Sequence, residues 1–168
     1  KIPGGAPGLA VALGGVGVTL HDLVQVYGGI AHEGVAIDLR WREAATDGFA
    51  PHQIIGDVAA WQIADILRNV PRPVGVQGTG IAFKTGTSYG HRDAWAVGFD
   101  GQHVIGVWMG RADGTPVPGA FGADVAAPLL FEAFARVSPR LTPLPAPPPG
   151  ALTVSHSDLP EPLQRFAS

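Results

Sequence analysis

The residues with the clearest capacity for chemistry are Lys84-Thr85-Gly86-Thr87, which follow the apolar run Ile81-Ala82-Phe83 and precede Ser88. Lys84 is one of only two lysines in the chain. An unpaired ammonium is costly to bury, so a lysine set in an apolar strand must reach solvent or a partner. Period-2 alternation sends Thr85 and Thr87 to one side and Lys84 to the other, and Gly86 between them leaves the backbone open to close approach. A cation flanked by two hydroxyls and an unshielded backbone N–H suits a carboxylate held beside a carbonyl that is about to become an oxyanion. Such a strand edge would dock the end of a peptide chain. A Lys-Thr-Gly triplet also arises by chance, and a lysine that merely snorkels from an edge is the plain alternative.

The elements that must position these residues follow from periodicity and turn chemistry. Residues 1 to 17 read as a Gly/Pro-rich loop closing at Gly14-Gly15-Val16-Gly17. A helix is predicted at about 19–33, capped by Thr19 with Asp22 in its first turn, apolar at Leu20, Leu23, Val24, Tyr27 and Ala31, and stopped by Gly34. Residues 35 to 55 predict a short strand and a loop. Asp57 opens a second helix, apolar over more than one face and so expected to be mostly buried, ended by Pro71 and Pro73. Three runs, Ile81 to Thr87, Ala94 to Phe99 and Val104 to Arg111, predict an antiparallel meander. Asp100-Gly101 predicts a two-residue type I′ hairpin turn, in which both central residues take positive φ. A loop from Ala112 to Gly122 leads to a third helix at about 125–137, with Leu130, Phe131, Phe134 and Val137 as its apolar side. The order predicts an α/β (α+β) fold, an antiparallel sheet flanked by helices.

From Pro139 to Pro149 six of eleven residues are proline, which favours extended polyproline geometry. The expected organisation is a domain at 1–138, a linker at 139–149, and a tail at 150–168 leading toward something not present. The chain begins at Lys1 and its only methionine is Met109, which predicts a processed product or an excised fragment.

Composition narrows the function classes. The 168 residues, 46% apolar and 15% charged, suffice for one core. A net charge of −3 without a basic stripe argues against nucleic acid as a partner. The absence of cysteine excludes disulfides and thiolate chemistry but leaves the compartment open. No apolar run reaches the roughly 20 residues that cross a bilayer, so any anchor must lie outside the chain. Gly80 to Thr87 has Lys-Thr-Gly where a phosphate loop needs Gly-Lys-Thr, and Gly14 to Gly17 lacks the third glycine of a dinucleotide fingerprint. His21, His32, His52, His91, His103 and His156 lack metal-ligand spacing, so no metal and no cofactor is expected. His91, Arg92 and Asp93 stand where they could shape the rim of the motif strand. Trp95, Trp108 and Trp61 read as core.

Wider context weighs against chance for the triplet. Lys84-Thr-Gly-Thr-Ser-Tyr-Gly-His-Arg-Asp-Ala-Trp-Ala-Val-Gly-Phe99, followed by Val104-Ile-Gly-Val-Trp-Met-Gly-Arg111, resembles the signature of the class A penicillin-binding transpeptidases. Leu13 to Tyr27 and Pro116 to Phe134 are similar to further segments of that family, in the same order, so the resemblance spans about residues 8 to 137. It implies part of the penicillin-binding transpeptidase and serine β-lactamase-like fold, and D,D-transpeptidation of peptidoglycan stem peptides through a serine acyl-enzyme that β-lactams also form. By position, Lys84 would organise protons and the substrate carboxylate as the catalytic lysine. Thr85 and Thr87 would bind that carboxylate, the Thr87 N–H would serve the oxyanion, and Gly86 would keep the edge clear.

The family's Ser-x-x-Lys and Ser-x-Asn motifs are missing. Ser88, Ser138, Ser155, Ser157 and Ser168 have no lysine three on and no asparagine two on. No nucleophile is therefore expected in this chain, which alone would be inactive. The resemblance further implies a bifunctional parent in the bacterial periplasm, held to the inner membrane by an anchor outside these residues. A non-catalytic structural or interaction fragment of a cell-wall protein is the alternative.

Overall fold

The structure, a computed structural model, describes residues 8, 9, 11, 14–40, 49–74, 76, 80–137, 140–161 and 164. Lys1 and much of the expected loop at 1–17, residues 41–48 of the 35–55 stretch, Ser138, Pro139 and Ser168 lie outside them.

Helix α1 spans Leu20–Ala31 and starts as its sequence requires. Thr19 Oγ1 accepts from Asp22 N–H (3.1 Å), and the Asp22 carboxylate accepts from both the Thr19 N–H (3.1 Å) and the Thr19 hydroxyl (2.7 Å). Two orphan donors of the first turn are thus satisfied reciprocally. These bonds, the Thr19 hydroxyl first, hold the Asp22 carboxyl below its ordinary pKa. After α1 the chain turns at Glu33 and Gly34, both at positive φ. The strand expected within 35–55 is reduced to one antiparallel bridge pair, Val35 with Gln53, among the described residues.

Helix α2 spans Asp57–Arg68. Only Ala60 and Ala64 are buried in it, and Ile66 is exposed, so the expectation of a mostly buried helix is corrected. One side packs on the sheet and α1 through Ala64 and Leu67, while the side carrying Ile66 faces solvent.

Strands β1 (Ala82–Thr87), β2 (Asp93–Phe99) and β3 (Val104–Gly110) form the predicted antiparallel meander in the order β1-β2-β3. Because side chains alternate, the register divides the sheet into two faces. Phe83, Ala96, Ile105 and Val107 meet helix α3 (Ala127–Val137) on one face, with Leu130, Phe131 and Phe134 filling that core. The Phe83 and Phe131 rings meet edge to face with centroids 5.0 Å apart. Each such buried phenyl stabilises the fold by about 1.5–3 kcal/mol relative to exposure. Ala82 and Phe99 face α1 and α2 with Ala64, Leu67 and Tyr27, and Leu20 and Val24 of α1 pack over Gly106. Helix α3 begins in a π turn at Gly122–Ala126, and Val137, expected on the apolar side, is exposed at its end.

The β2–β3 hairpin is present but its turn is not type I′. Asp100 N–H donates to His103 O (3.0 Å), so the two-residue turn is Gly101-Gln102, and neither Asp100 nor Gly101 takes positive φ. The Asp100 side chain replaces that geometry: Oδ1 accepts from Gln102 N–H (2.8 Å) and His103 N–H (2.6 Å). Asp side chains favour turns by this local bonding.

The same carboxylate reaches the proline-rich segment. Asp100 Oδ2 accepts from Thr142 N–H (3.1 Å) and Gly101 N–H donates to Thr142 O (2.8 Å). Residue 101 is glycine because a Cβ there would collide with the Pro143 carbonyl and stand 2.8 Å from Thr142 Cγ2. Leu141 and Leu144 pack against the two cores. Residues 140–149 therefore lie along the domain rather than standing off it.

Asp100 is 2% exposed. Burial alone would raise its pKa, but the N–H donors of Gln102, His103 and Thr142, with His103 beside it, outweigh that and lower it. A depressed folded pKa contributes stability above the unfolded carboxylate pKa, and that stability is lost as pH falls through the folded value. Asp100→Asn should therefore cost about 1.5–3 kcal/mol at neutral pH. In urea unfolding the gap from wild type should narrow below the usual carboxylate range; a gap independent of pH would contradict this account.

Candidate functional site

Lys84, Thr85, Gly86 and Thr87 lie in β1, an edge strand with β2 on one side and no described strand on the other. The direction of its backbone groups follows from one bond. Ser88 N–H donates to Asp93 O (2.9 Å), which marks that pair as hydrogen-bonded, and the ladder continues in the same register. Antiparallel pairs alternate between bonded and non-bonded kinds. Gly86 with Trp95 and Lys84 with Val97 are then bonded pairs, whereas Thr87 with Ala94 and Thr85 with Ala96 are not. The N–H and C=O groups of Thr85 and Thr87 therefore point outward along the open edge.

The side chains divide as period 2 requires. Lys84 and Gly86 share the face of Trp95 and Trp108, and Thr85 and Thr87 share the face of α3. Lys84 is exposed, and its Nζ folds over the edge to donate to the outward Thr85 carbonyl (2.6 Å). Among the described residues no carboxylate pairs with it. Thr87 is exposed, and its Oγ1 accepts from Gly122 N–H (3.0 Å). A Cβ on Gly86 would make only ordinary contacts with Trp95 (3.7 and 3.9 Å), so no described neighbour demands glycine there.

The expectation that the tryptophans are core is corrected. Trp108 is 37% exposed, and Trp95 and Trp61 are half-buried. The indole rings of Trp95 and Trp108 lie 6.2 Å apart on the Lys84 face, the face on which Leu20 and Val24 of α1 cover Gly106. Trp108 Nε1 donates to Asp93 Oδ1 (2.9 Å), giving Asp93 a structural partner. His91 is at positive φ (56°), its carbonyl accepts from Val117 N–H (2.8 Å), and its ring stands edge-on to Phe121 at 4.7 Å. His91 thus joins the loop after the motif strand to the loop before α3, while Arg92 is exposed.

Sequence reasoning missed Gly122. The available signal was a helix start whose cap position, Phe121, has no side chain able to accept the first N–H groups.

A cavity of about 210 Å³ lies at the other end of the sheet, between Ile30, Trp61, Phe99 and Leu144. It contains none of Lys84 to Thr87, and Arg68 on its wall is paired with Asp65. The cation in its lining is already held by a carboxylate, whereas the open edge of β1 combines an ammonium without a carboxylate partner among the described residues, a hydroxyl and outward amides. That edge is therefore the better candidate for binding an anionic peptide terminus. Among the described residues no group of three His, Asp or Glu could hold a metal ion, and no helix is long and apolar enough to cross a membrane.

No family model matches the chain. Individual relatives do. Penicillin-binding protein 1C of Escherichia coli K12 is 39% identical over 155 residues, 89% of this chain and 20% of that protein. Penicillin-binding protein 1B of Vibrio cholerae is 32% identical and that of Haemophilus influenzae 28%, each over 68% of this chain and 17% of the relative. The chain spans about a fifth of the length of these relatives. Over most of its length, then, the chain is a relative of the penicillin-binding proteins, matching about a fifth of their length.

Proposed function

We propose that this chain forms the Lys-Thr-Gly wall of a peptidoglycan D,D-transpeptidase, completed by a serine nucleophile outside these residues. The observation that carries the reading is the open edge of β1, where outward N–H groups of Thr85 and Thr87 stand beside the Lys84 ammonium and the Thr87 hydroxyl. A peptide terminus laid along that edge meets donors for both its carboxylate and its penultimate carbonyl. In the reaction, a serine oxygen attacks the carbonyl carbon of the D-Ala-D-Ala bond. The oxyanion is held by the Thr87 N–H and a second donor, D-Ala departs as the amine with a proton, and an acyl-serine remains. An amine of a neighbouring stem peptide then takes the acyl group and returns the proton to the serine. Lys84 helps to organise these protons and binds the carboxylate, as do Thr85 and Thr87, and Gly86 leaves the edge accessible.

The same reading makes peptidoglycan stem peptides and β-lactams the partners, and cell-wall synthesis in the bacterial periplasm the role, with membrane attachment through residues outside this chain. Lacking Ser-x-x-Lys and Ser-x-Asn, the 168 residues alone transfer no acyl group. Fluorescent penicillin tests both parts. The full-length protein carrying these residues should be labelled covalently at a serine outside them, and the isolated chain should not. Labelling of Ser88, Ser155 or Ser157 in the isolated chain would overturn the missing nucleophile; an unlabelled full-length protein would overturn the transpeptidase reading.

A further inference from the structure

The Thr87 hydroxyl is engaged from behind. Gly122 N–H donates to Thr87 Oγ1 at 3.0 Å, across 35 residues of sequence. Gly122 opens the π turn that runs into α3, and Phe121 before it makes no side-chain cap. The first N–H groups of a helix have no acceptor within the helix and carry the positive end of its dipole. Thr87 therefore caps α3 from another element. A hydroxyl has a single proton, and because Oγ1 accepts here, that proton is free to be donated elsewhere. Accepting one hydrogen bond also strengthens a hydroxyl as a donor in the next.

The geometry behind the strand leaves little freedom. A Cβ on Gly122 would stand 2.6 Å from Trp95 O and 3.1 Å from Gly86 N, and closer still to Gly86 O, so only glycine lets the helix start press on the backbone at Gly86. Phe121 meets His91 edge-on, and His91 O holds Val117 N–H. One loop thus grips the strand at Gly86 and the turn at His91.

We propose that Gly122 is a positioning residue of the site: its N–H occupies the rear lone pair of Thr87 Oγ1 and turns the hydroxyl proton outward, toward the carboxylate of a peptide terminus or a penicillin. This rests on the transpeptidase reading and adds to it a source of selectivity for a negative charge.

The test compares the second-order rate of acylation of the full-length protein by benzylpenicillin and by its methyl ester, which lacks the anionic group. Thr87→Val and Gly122→Ala should each slow benzylpenicillin about 10-fold or more and by a clearly larger factor than they slow the ester, and Thr87→Ser should recover most of the discrimination. Equal slowing of both compounds by Gly122→Ala, or slowing of neither, overturns the inference. Because the alanine is crowded and can prevent folding, a second measurement uses the wild type with ¹⁵N-glycine. The Gly122 amide proton should move downfield on reaction with benzylpenicillin but not with the ester, and an unmoved amide overturns the proposal. A wild-type protein that penicillin does not label removes the transpeptidase reading and this inference with it, whereas normal labelling with an indifferent Gly122 removes the inference alone.

Discussion

Lys84→Ala in the full-length protein is expected to lower the second-order rate of penicillin acylation by about 100-fold or more. The ammonium is solvated, stands on an open edge and has no carboxylate partner among the described residues, so its removal leaves no buried charge stranded. Its bond to the Thr85 carbonyl is one between neighbours in sequence and contributes little to the fold. A large kinetic loss with an unchanged unfolding midpoint would therefore report chemistry rather than scaffolding. Lys84→Arg restores charge but spreads it over a planar fork, and it should recover only part of the rate. A change smaller than about threefold on Lys84→Ala would contradict the role assigned to this side chain.

Phe83→Ala should destabilise the protein by about 3–5 kcal/mol, read as a fall in the urea midpoint at constant slope. Phe83 is 2% exposed, packs edge to face on Phe131, and precedes Lys84 in the same strand. Truncation would leave a cavity between β1 and α3 that the sheet cannot close without moving the strand. In contrast to Lys84→Ala, the loss should appear in stability as well as in the labelling rate. A cost below about 1 kcal/mol would mean that α3 does not clamp the strand as described.

Much of the architecture was legible because its signals are local. The Thr19 and Asp22 pair specifies where α1 begins, and the three alternating apolar runs specify the meander, since each depends on neighbours a few residues away. The hairpin was legible in place but not in kind. Asp-Gly permits a type I′ turn, yet the Asp100 carboxylate serves Gln102, His103 and Thr142 together, and the last of these is 42 residues distant. The exposure of Trp108 and Ile66 and the half-burial of Trp95 were hidden for a related reason: apolar character states what a side chain tolerates, and only the neighbouring layer determines whether it is covered.

By itself the sequence determined which groups share β1 and their alternation, because side-chain direction along a strand follows from backbone geometry. It also determined that no serine of the family's motifs lies in these residues. Tertiary structure alone decided that β1 is an edge, that the Thr85 and Thr87 amides face outward, and that Gly122 caps the Thr87 hydroxyl from behind. Those outcomes depend on the pairing partner of a strand and on a contact 35 residues away. Neither is encoded in local spacing, because both arise only when the sheet and α3 close on one core.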